Sequence, residues 1–255
     1  MSSVNNSHNS EINSICLFSE NYQDPCSHIR ILGPMDHLNI EVIQGFKDGI
    51  LNLDGISECD LVVIQRIFPR HLDLYEGVIH KAREEKKRVI FDLDDFLFDL
   101  PDNHPERVEH VYTTAIIPMI RAVVEADLVT VSTDMLKEML SGFNQNISVI
   151  PNYLDDKLWQ LKDPTSNIHN DNPIIIGYMG TKTHEPDLKI ISHVLLNCLK
   201  KYPDKVKFHL WGFRPPENLD HQSQVTWSPT VTYNYRDFSE RSEEHTSELQ
   251  SRQSI

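Results

Sequence analysis

Three carboxylates follow one apolar run near the middle of the chain. Residues 89–91, Val-Ile-Phe, lead directly into Asp92, Asp94 and Asp95. The apolar run predicts a buried strand, and in open α/β sheets ligands bind outside the carboxyl ends of the strands. We therefore expect the three carboxylates near a cleft. Aspartates at such positions also cap the following segment through backbone N–H groups, and this alternative stays open for Asp94 and Asp95.

A second group of candidate residues follows the apolar run 174–178. Gly180, Thr181, Lys182 and His184 form a short loop before a predicted helix. Backbone N–H groups at a helix N-terminus suit a diphosphate. A glycine after a buried strand is also an ordinary way to make a turn, so the loop alone is a weak indication.

Strand-like and helix-like patterns alternate along the chain and predict an α/β fold with a mostly parallel, doubly wound sheet. The pattern ends near residue 150, and a polar stretch at 151–172 is typical of a linker before a second β-α-β pattern begins. The predicted strands are 15–18, 61–65, 89–91, 128–132, 147–150, 174–178 and 206–211, and the predicted helices are 71–85, 106–126, 134–140 and 187–201. The predicted divisions are a disordered leader at 1–14, a first Rossmann-like lobe at 15–150, a linker at 151–172 and a second lobe at 173–240.

Composition narrows the class of partners. The 255 residues carry a net charge of -14, so the protein repels nucleic acid over most of its surface. The sequence has neither a signal-peptide pattern nor an apolar run long enough for a membrane span, which predicts a cytoplasmic protein. The four cysteines are scattered without a C-x-x-C pair, so we expect neither a disulfide framework nor a zinc site.

The last fifteen residues need a separate explanation. Residues 241–251, RSEEHTSELQS, resemble the translation of a common sequencing-adapter oligonucleotide. We therefore interpret 241–255 as an artefactual tail and expect the natural protein to continue beyond Glu240. The alternative is a polar, disordered native C-terminus.

The order of several motifs resembles glycosyltransferases of the GT-B architecture, in particular bacterial group 1 or family 4-like relatives. The motifs are IRILGPMDHL (29–38), VIFDLDDFLF (89–98), ADLVTVST (126–133), VIPNYLD (149–155) and GYMGTKTHEPDL (177–188). The resemblance covers roughly residues 15–213. It implies one complete Rossmann-like lobe and the start of a second. It also implies hexose transfer from a nucleotide sugar to a glycan or lipid-linked acceptor, with retention of configuration, no cofactor or metal, and possible peripheral contact with a membrane.

The same resemblance assigns residues to the two sides of a cleft. Acceptor-side residues would be Arg30, Asp92, Asp94 and Asp95, donor-binding residues would be Gly180, Thr181 and His184, and the hinge would be Asn152. The chain departs from the family in two places: residues 19–27 replace a glycine-rich loop, and the downstream Glu-x7-Glu segment is absent. We therefore expect a truncated second lobe, with strands 174–178 and 206–211 lacking neighbours, and no transferase activity from the chain as given.

Two other functions remain open. VIFDLDDFLF also resembles the first motif of haloacid-dehalogenase-like phosphatases, in which Asp92 would attack phosphorus and Asp94 would act as the general acid. The usual Gly-Thr continuation and a later G-D-x-x-x-D are missing. A non-catalytic binding lobe is the third hypothesis, because a fold does not fix a function. His28 and His71 are expected on helix or loop surfaces rather than in a catalytic pair.

Overall fold

The computed structural model describes residues 12–159, 173–229, 234–237 and 239. Most of the predicted leader, residues 160–172 of the predicted linker and the predicted artefactual tail lie outside the described residues. The chain divides into two compact units. Unit 1 comprises Met1–Leu100 and Val111–Asp155, and unit 2 comprises Pro101–His110 and Asp156–Ile255.

Unit 1 is built around a six-stranded parallel sheet with the order β2-β1-β5-β6-β7-β8. These strands are β1 Ser14–Phe18, β2 Glu41–Gln44, β5 Leu61–Gln65, β6 Arg88–Leu93, β7 Leu128–Val131 and β8 Ile147–Val149, and a small antiparallel hairpin joins β3 Phe46–Lys47 to β4 Ile50–Leu51. Helices cover both faces, which explains why the central strands are continuous apolar runs rather than alternating ones. The parallel α/β fold predicted from the sequence is therefore confirmed.

The helices of unit 1 divide between the two faces of the sheet. Apolar side chains of α3, α4, α6 and α7 share one core with the sheet, whereas the π-helical turn His28–Leu32 and α2 contribute to the other. The helices are α1 Pro25–Ser27, α2 Gly33–Leu38, α3 Asp54–Glu58, α4 Leu72–Glu84, α6 Ile116–Glu125 and α7 Asp134–Leu140, with a 3₁₀ turn at Phe68–Arg70.

The prediction of a single helix over 106–126 is wrong. The structure has α5 Pro105–Val108, which belongs to unit 2, and then α6 from Ile116. His110 lies between them with φ of 58°, a left-handed conformation that cannot continue a helix. Pro118 falls in the first turn of α6, where its missing N–H would have no helical partner, so it does not interrupt the helix.

Unit 2 contains a three-stranded parallel sheet with the order β11-β10-β9. Its elements are β9 Ile174–Met179, a 3₁₀ turn at Lys182–His184, α8 Glu185–Lys201, β10 Val206–Gly212, α9 Glu217–Asp220 and β11 Val225–Pro229. Leucines of α8 and α9 pack on Phe208 and Leu210 of β10. The expectation that strand 206–211 lacks neighbours is wrong, because β10 pairs with β9 on one side and β11 on the other.

Within the described part of the chain, no helix is both long and apolar enough to cross a membrane. The four cysteines are free thiols, and Cys16 and Cys59 are buried in the core of unit 1.

Candidate functional site

The candidate site of unit 1 lies where neighbouring parallel strands end. Since β1, β5, β6 and β7 are adjacent and parallel, the residues that follow them share one edge of the sheet. We call this set of polar residues the carboxyl-edge cluster. Its members are Ser19, Glu20, Cys26, Ser27, Arg30, Gln65, Arg66, Arg70, His71, Asp92, Asp94, Asp95, Thr130 and Ser132.

The innermost part of the carboxyl-edge cluster is a buried ion pair. Arg30 Nη2 lies 2.7 Å from Asp92 Oδ1, Arg30 Nε lies 3.3 Å from Asp92 Oδ2, and the Thr130 hydroxyl donates to Asp92 Oδ1 at 2.7 Å. Both charged side chains are only 1% exposed. Each carboxylate oxygen therefore already accepts a hydrogen bond, and the arrangement holds Arg30 rather than presenting Asp92 to a ligand.

Arg30 also contacts the segment that leaves the sheet after β8. Its Nη1 donates to the Ile150 carbonyl and, at 3.1 Å, to Asn152 Oδ1. The predicted acceptor-side residue Arg30 is thus bonded directly to the predicted hinge residue Asn152.

An outer ion cluster surrounds Arg66. The Arg66 guanidinium lies 2.7 Å from Asp94 Oδ1 and 3.4 Å from Asp95 Oδ2, and it donates to Cys26 Sγ at 2.8 Å. Arg66 has φ of 47°, which non-glycine residues rarely adopt. Asp95 is 64% exposed, whereas Asp94 is mostly buried. Asp95 is therefore the carboxylate of the carboxyl-edge cluster that is open to a ligand.

Burial controls the ionisation of this outer cluster. Burial raises the pKa of the Asp94 carboxyl even though Arg66 favours its charged form. Burial likewise raises the pKa of the Cys26 thiol, despite the opposing charge of Arg66, so the thiol stays protonated near neutral pH and is a poor nucleophile. Burial is the largest single influence and lowers the Arg66 pKa, but Asp94, Asp95 and the other acidic groups nearby together outweigh burial and raise that pKa. Arg66 therefore remains a cation.

A hydroxyl network fixes the segment that follows β1. Ser27 Oγ lies 2.7 Å from Gln65 Oε1 and 2.9 Å from Ser19 Oγ, and Gln65 Nε2 donates to the Cys26 carbonyl. Residues 19–27 replace the glycine-rich loop of the glycosyltransferases that the sequence resembles. In this chain the segment is fastened to the end of β5 by side chains.

The carboxylate of Glu20 lies beside two basic side chains next to this segment. Its Oε1 lies 2.5 Å from Arg70 Nε and 2.9 Å from His71 Nε2. The His71 ring lies beside the rings of Phe46 and Phe68 and is about one-third exposed. An exposed ring edge makes His71 a candidate hydrogen-bonding partner of a ligand at this edge.

The donor-binding residues predicted in unit 2 lie at the end of β9. The Gly180 N–H is already bonded to the Trp211 carbonyl at 3.1 Å, and the hydroxyls of Thr181 and Thr183 lie 2.6 Å apart. His184 Nδ1 lies 3.1 Å from the Asp187 carboxylate. The N-terminus of α8 is therefore approached by a carboxylate of its own first turn, which competes with a bound phosphate.

Comparison with known proteins gives one informative result. No protein-family model matches the chain, and no curated protein matches it. The crystal structure of a putative UDP-N-acetylglucosamine 2-epimerase from Listeria monocytogenes matches with a TM-score of 0.53 at 11% sequence identity, over 90% of this chain and 71% of that one. This chain has a GT-B-like fold.

The likeness supports the GT-B-like part of the resemblance seen in the sequence, and at this identity it bears on the fold alone. In the GT-B-like fold, Arg30, Asp92, Asp94 and Asp95 all lie in unit 1, at one edge of its sheet. The structure adds Glu20, Gln65, Arg66, His71 and Thr130, which the sequence analysis did not select. Among the residues that the structure describes, no group of three or more His, Cys, Asp or Glu side chains could hold a metal ion.

Of these five added residues, only Arg66 could have been recognised from the sequence as a residue of this edge. It directly follows the clear strand 61–65, as Asp92 follows 89–91. A polar residue immediately after each of two buried strands is a pattern that could have placed both on one edge.

Proposed function

We propose that the protein is a sugar-nucleotide enzyme, and specifically a glycosyltransferase that moves a hexose from a nucleotide sugar to a glycan or lipid-linked acceptor. The observation that carries the proposal is the presence of two parallel Rossmann-like sheets in one chain, each with a polar loop at its carboxyl edge. Ligands of open α/β sheets bind at such edges. The name of the Listeria structure gives a UDP-sugar as the substrate of a protein with this fold, which supports the same class of ligand.

In this proposal the exposed groups of the carboxyl-edge cluster bind the acceptor. Asp95 and His71 can accept hydrogen bonds from sugar hydroxyls, and Arg66 can donate to them once a ligand replaces its contact with Asp95. The buried pair of Arg30 and Asp92 supports this edge without touching the ligand. The retention of configuration implied by the sequence resemblance remains part of the proposal.

On the donor side, the diphosphate would be bound by Thr181, Lys182 and His184. Lys182 supplies a cation on the 3₁₀ turn before α8, His184 supplies ring nitrogens, and Thr181 supplies a hydroxyl. The Gly180 amide is already bonded, so its role would be to let the chain approach the diphosphate closely. Cations and hydrogen-bond donors at this point would stabilise the negative charge of the leaving diphosphate.

The phosphatase hypothesis finds less support in the geometry. It requires Asp92 to attack phosphorus, but the Asp92 carboxylate is 1% exposed and each of its oxygens accepts hydrogen bonds from Arg30 or Thr130. A nucleophile must reach the phosphorus atom with a free lone pair. Asp92 could do so only after the buried pair with Arg30 had separated.

The proposal is tested by titrating the protein with UDP-, GDP- and dTDP-sugars in a calorimeter. We expect one nucleotide class to bind, and Lys182→Gln to weaken that binding by about tenfold, the loss typical of one charge-assisted hydrogen bond. Lys207→Gln is the matched control, because Lys207 is an exposed lysine on β10 of the same unit. Absence of binding heat for every sugar nucleotide, or equal weakening by both substitutions, would refute the proposed donor site.

Incubating the bound sugar nucleotide with and without glycan acceptors then separates the possible activities. Transfer requires an acceptor, whereas epimerisation changes the sugar nucleotide without one. Binding without any turnover would favour either the non-catalytic binding lobe or the inactivity expected of a truncated second lobe. Hydrolysis of simple phosphate esters that is abolished by Asp92→Asn would favour the phosphatase.

A further inference from the structure

The six residues that leave β8 are fastened to unit 1 at their beginning. We call residues 150–155 the strap. The Ile150 N–H donates to the Val131 carbonyl, and the Ile150 carbonyl accepts from Arg30. The side chain of Asn152 accepts a second bond from the same guanidinium at 3.1 Å. The first half of the strap is therefore bonded to the core of unit 1.

A second contact fastens the end of the strap. His28 Nε2 lies 3.4 Å from Asp155 Oδ2, and both side chains are three-quarters or more buried. His28 and Arg30 belong to the same π-helical turn, His28–Leu32. One turn of unit 1 therefore contacts the strap at three residues: Ile150, Asn152 and Asp155.

The turn that contacts the strap is itself rigidly placed. Arg30 is held by Asp92 of β6 and Thr130 of β7, which belong to two central strands of the parallel sheet. Moving the strap away from unit 1 therefore requires breaking the hydrogen bonds that a buried, firmly held guanidinium donates to Ile150 and Asn152, rather than bending a free loop. Hydrogen bonds from a charged group are among the stronger ones inside a protein.

The boundary between the compact units coincides with the last of these contacts. Unit 1 ends at Asp155, and unit 2 resumes at Asp156. The chain also crosses between the units at Leu100–Pro101 and at His110–Val111. We propose that the strap, including Asn152, moves as part of unit 1, so that at this third crossing the backbone changes direction after Asp155 and not at Asn152, where the sequence resemblance places the hinge. His28 and Arg30 are then positioning residues that set where the connection leaves unit 1. This inference does not depend on the proposed function.

Limited proteolysis with chymotrypsin tests the proposal on the full chain. Tyr153 and Leu154 are 72% and 62% exposed, so each offers a cleavage site that is blocked only while the strap is held. His28→Gln and Asp155→Asn each weaken the second contact, and we expect each to accelerate cleavage at these two sites by about 2- to 5-fold, the range typical of a partly exposed contact between polar side chains. The double variant should be no faster than either single one, because both substitutions remove the same contact.

His37→Gln is the matched control, because His37 is an exposed histidine on α2, immediately after the π-helical turn. Asn152→Ala removes one bond of the first contact and should also accelerate cleavage. Equal thermal melts by circular dichroism would show that the variants remain folded. Cleavage at the wild-type rate in His28→Gln, Asp155→Asn and Asn152→Ala would overturn the proposal, as would a wild-type strap that is cut as fast as a free peptide.

Discussion

Replacing Asp92 by alanine should destabilise unit 1 strongly. The substitution leaves the Arg30 guanidinium buried without its counter-charge and removes the acceptor of the Thr130 hydroxyl. Removing one member of a buried ion pair typically costs about 3–5 kcal/mol, and the lost hydroxyl bond adds about 1 kcal/mol. Since domains are stable by only about 5–15 kcal/mol, this is a large share of the stability of unit 1.

A double variant separates the loss of the counter-charge from the loss of packing. Arg30→Met combined with Asp92→Ala leaves no unpaired charge, so its cost is limited to a cavity and to the lost hydrogen bonds of the Ile150 carbonyl, Asn152 and the Thr130 hydroxyl. We expect a cost of about 3 kcal/mol, less than that of Asp92→Ala alone. Thr130→Val should cost only about 1 kcal/mol, because it leaves the ion pair intact.

Hydrogen exchange measured by mass spectrometry is the appropriate assay. A loss of about 4–6 kcal/mol should accelerate exchange of peptides that cover residues 88–93 by roughly 700- to 20,000-fold, since each 1.4 kcal/mol is a factor of ten. The three tryptophans, Trp159, Trp211 and Trp227, all belong to unit 2, so tryptophan fluorescence during urea unfolding reports on the other unit. Acceleration below tenfold, or a double variant less stable than Asp92→Ala, would refute the reasoning.

Two further predictions concern unit 1. Two backbone N–H groups at the start of β1 donate to the Asp60 carboxylate and lower its pKa. Asp60 therefore contributes stability that is present above the ordinary aspartate pKa near 4. This stability is lost as the pH falls through the lower pKa of the folded state. The free energy of unfolding, measured with urea from pH 6 to pH 2, should therefore fall less steeply with acid for Asp60→Asn than for the wild type. For the exposed control Asp204→Asn it should fall as it does in the wild type. Identical pH dependence for all three proteins would contradict this. A Cβ on Gly45 would lie 2.5 Å from a ring carbon of the fully buried Phe18, so Gly45→Ala should cost about 1–3 kcal/mol in the same assay. Gly142→Ala, whose Cβ would meet no atom within 4 Å, should be nearly neutral, and a neutral Gly45→Ala would show that the ring can move aside.

The sequence by itself determined the parallel sheet of unit 1 and the edge at which polar residues collect. A strand buried on both faces needs an unbroken apolar run, and 61–65 and 89–91 are such runs, so β5 and β6 were predictable from neighbours along the chain. Asp92 follows one of these runs directly, and the carboxyl end of a strand is part of the same local pattern. The local sequence pattern was insufficient where an element is short or where apolar and polar residues alternate irregularly. It missed β11, which ends in a proline, and it joined α5 and α6 across His110.

Only the tertiary structure decided which of these side chains are exposed and which pair with each other. Two other carboxylates, Asp94 and Asp95, follow Asp92 closely in the sequence, yet Asp92 is buried against Arg30, which is 62 residues away. Asp95, three residues later, is left exposed. Glu20 and His71 likewise form a pair only because β1 and β5 are neighbours in the sheet. Periodicity along the chain reports which face of an element is buried, whereas charge pairing depends on the order of strands in space, and that order follows from the packing of the whole unit.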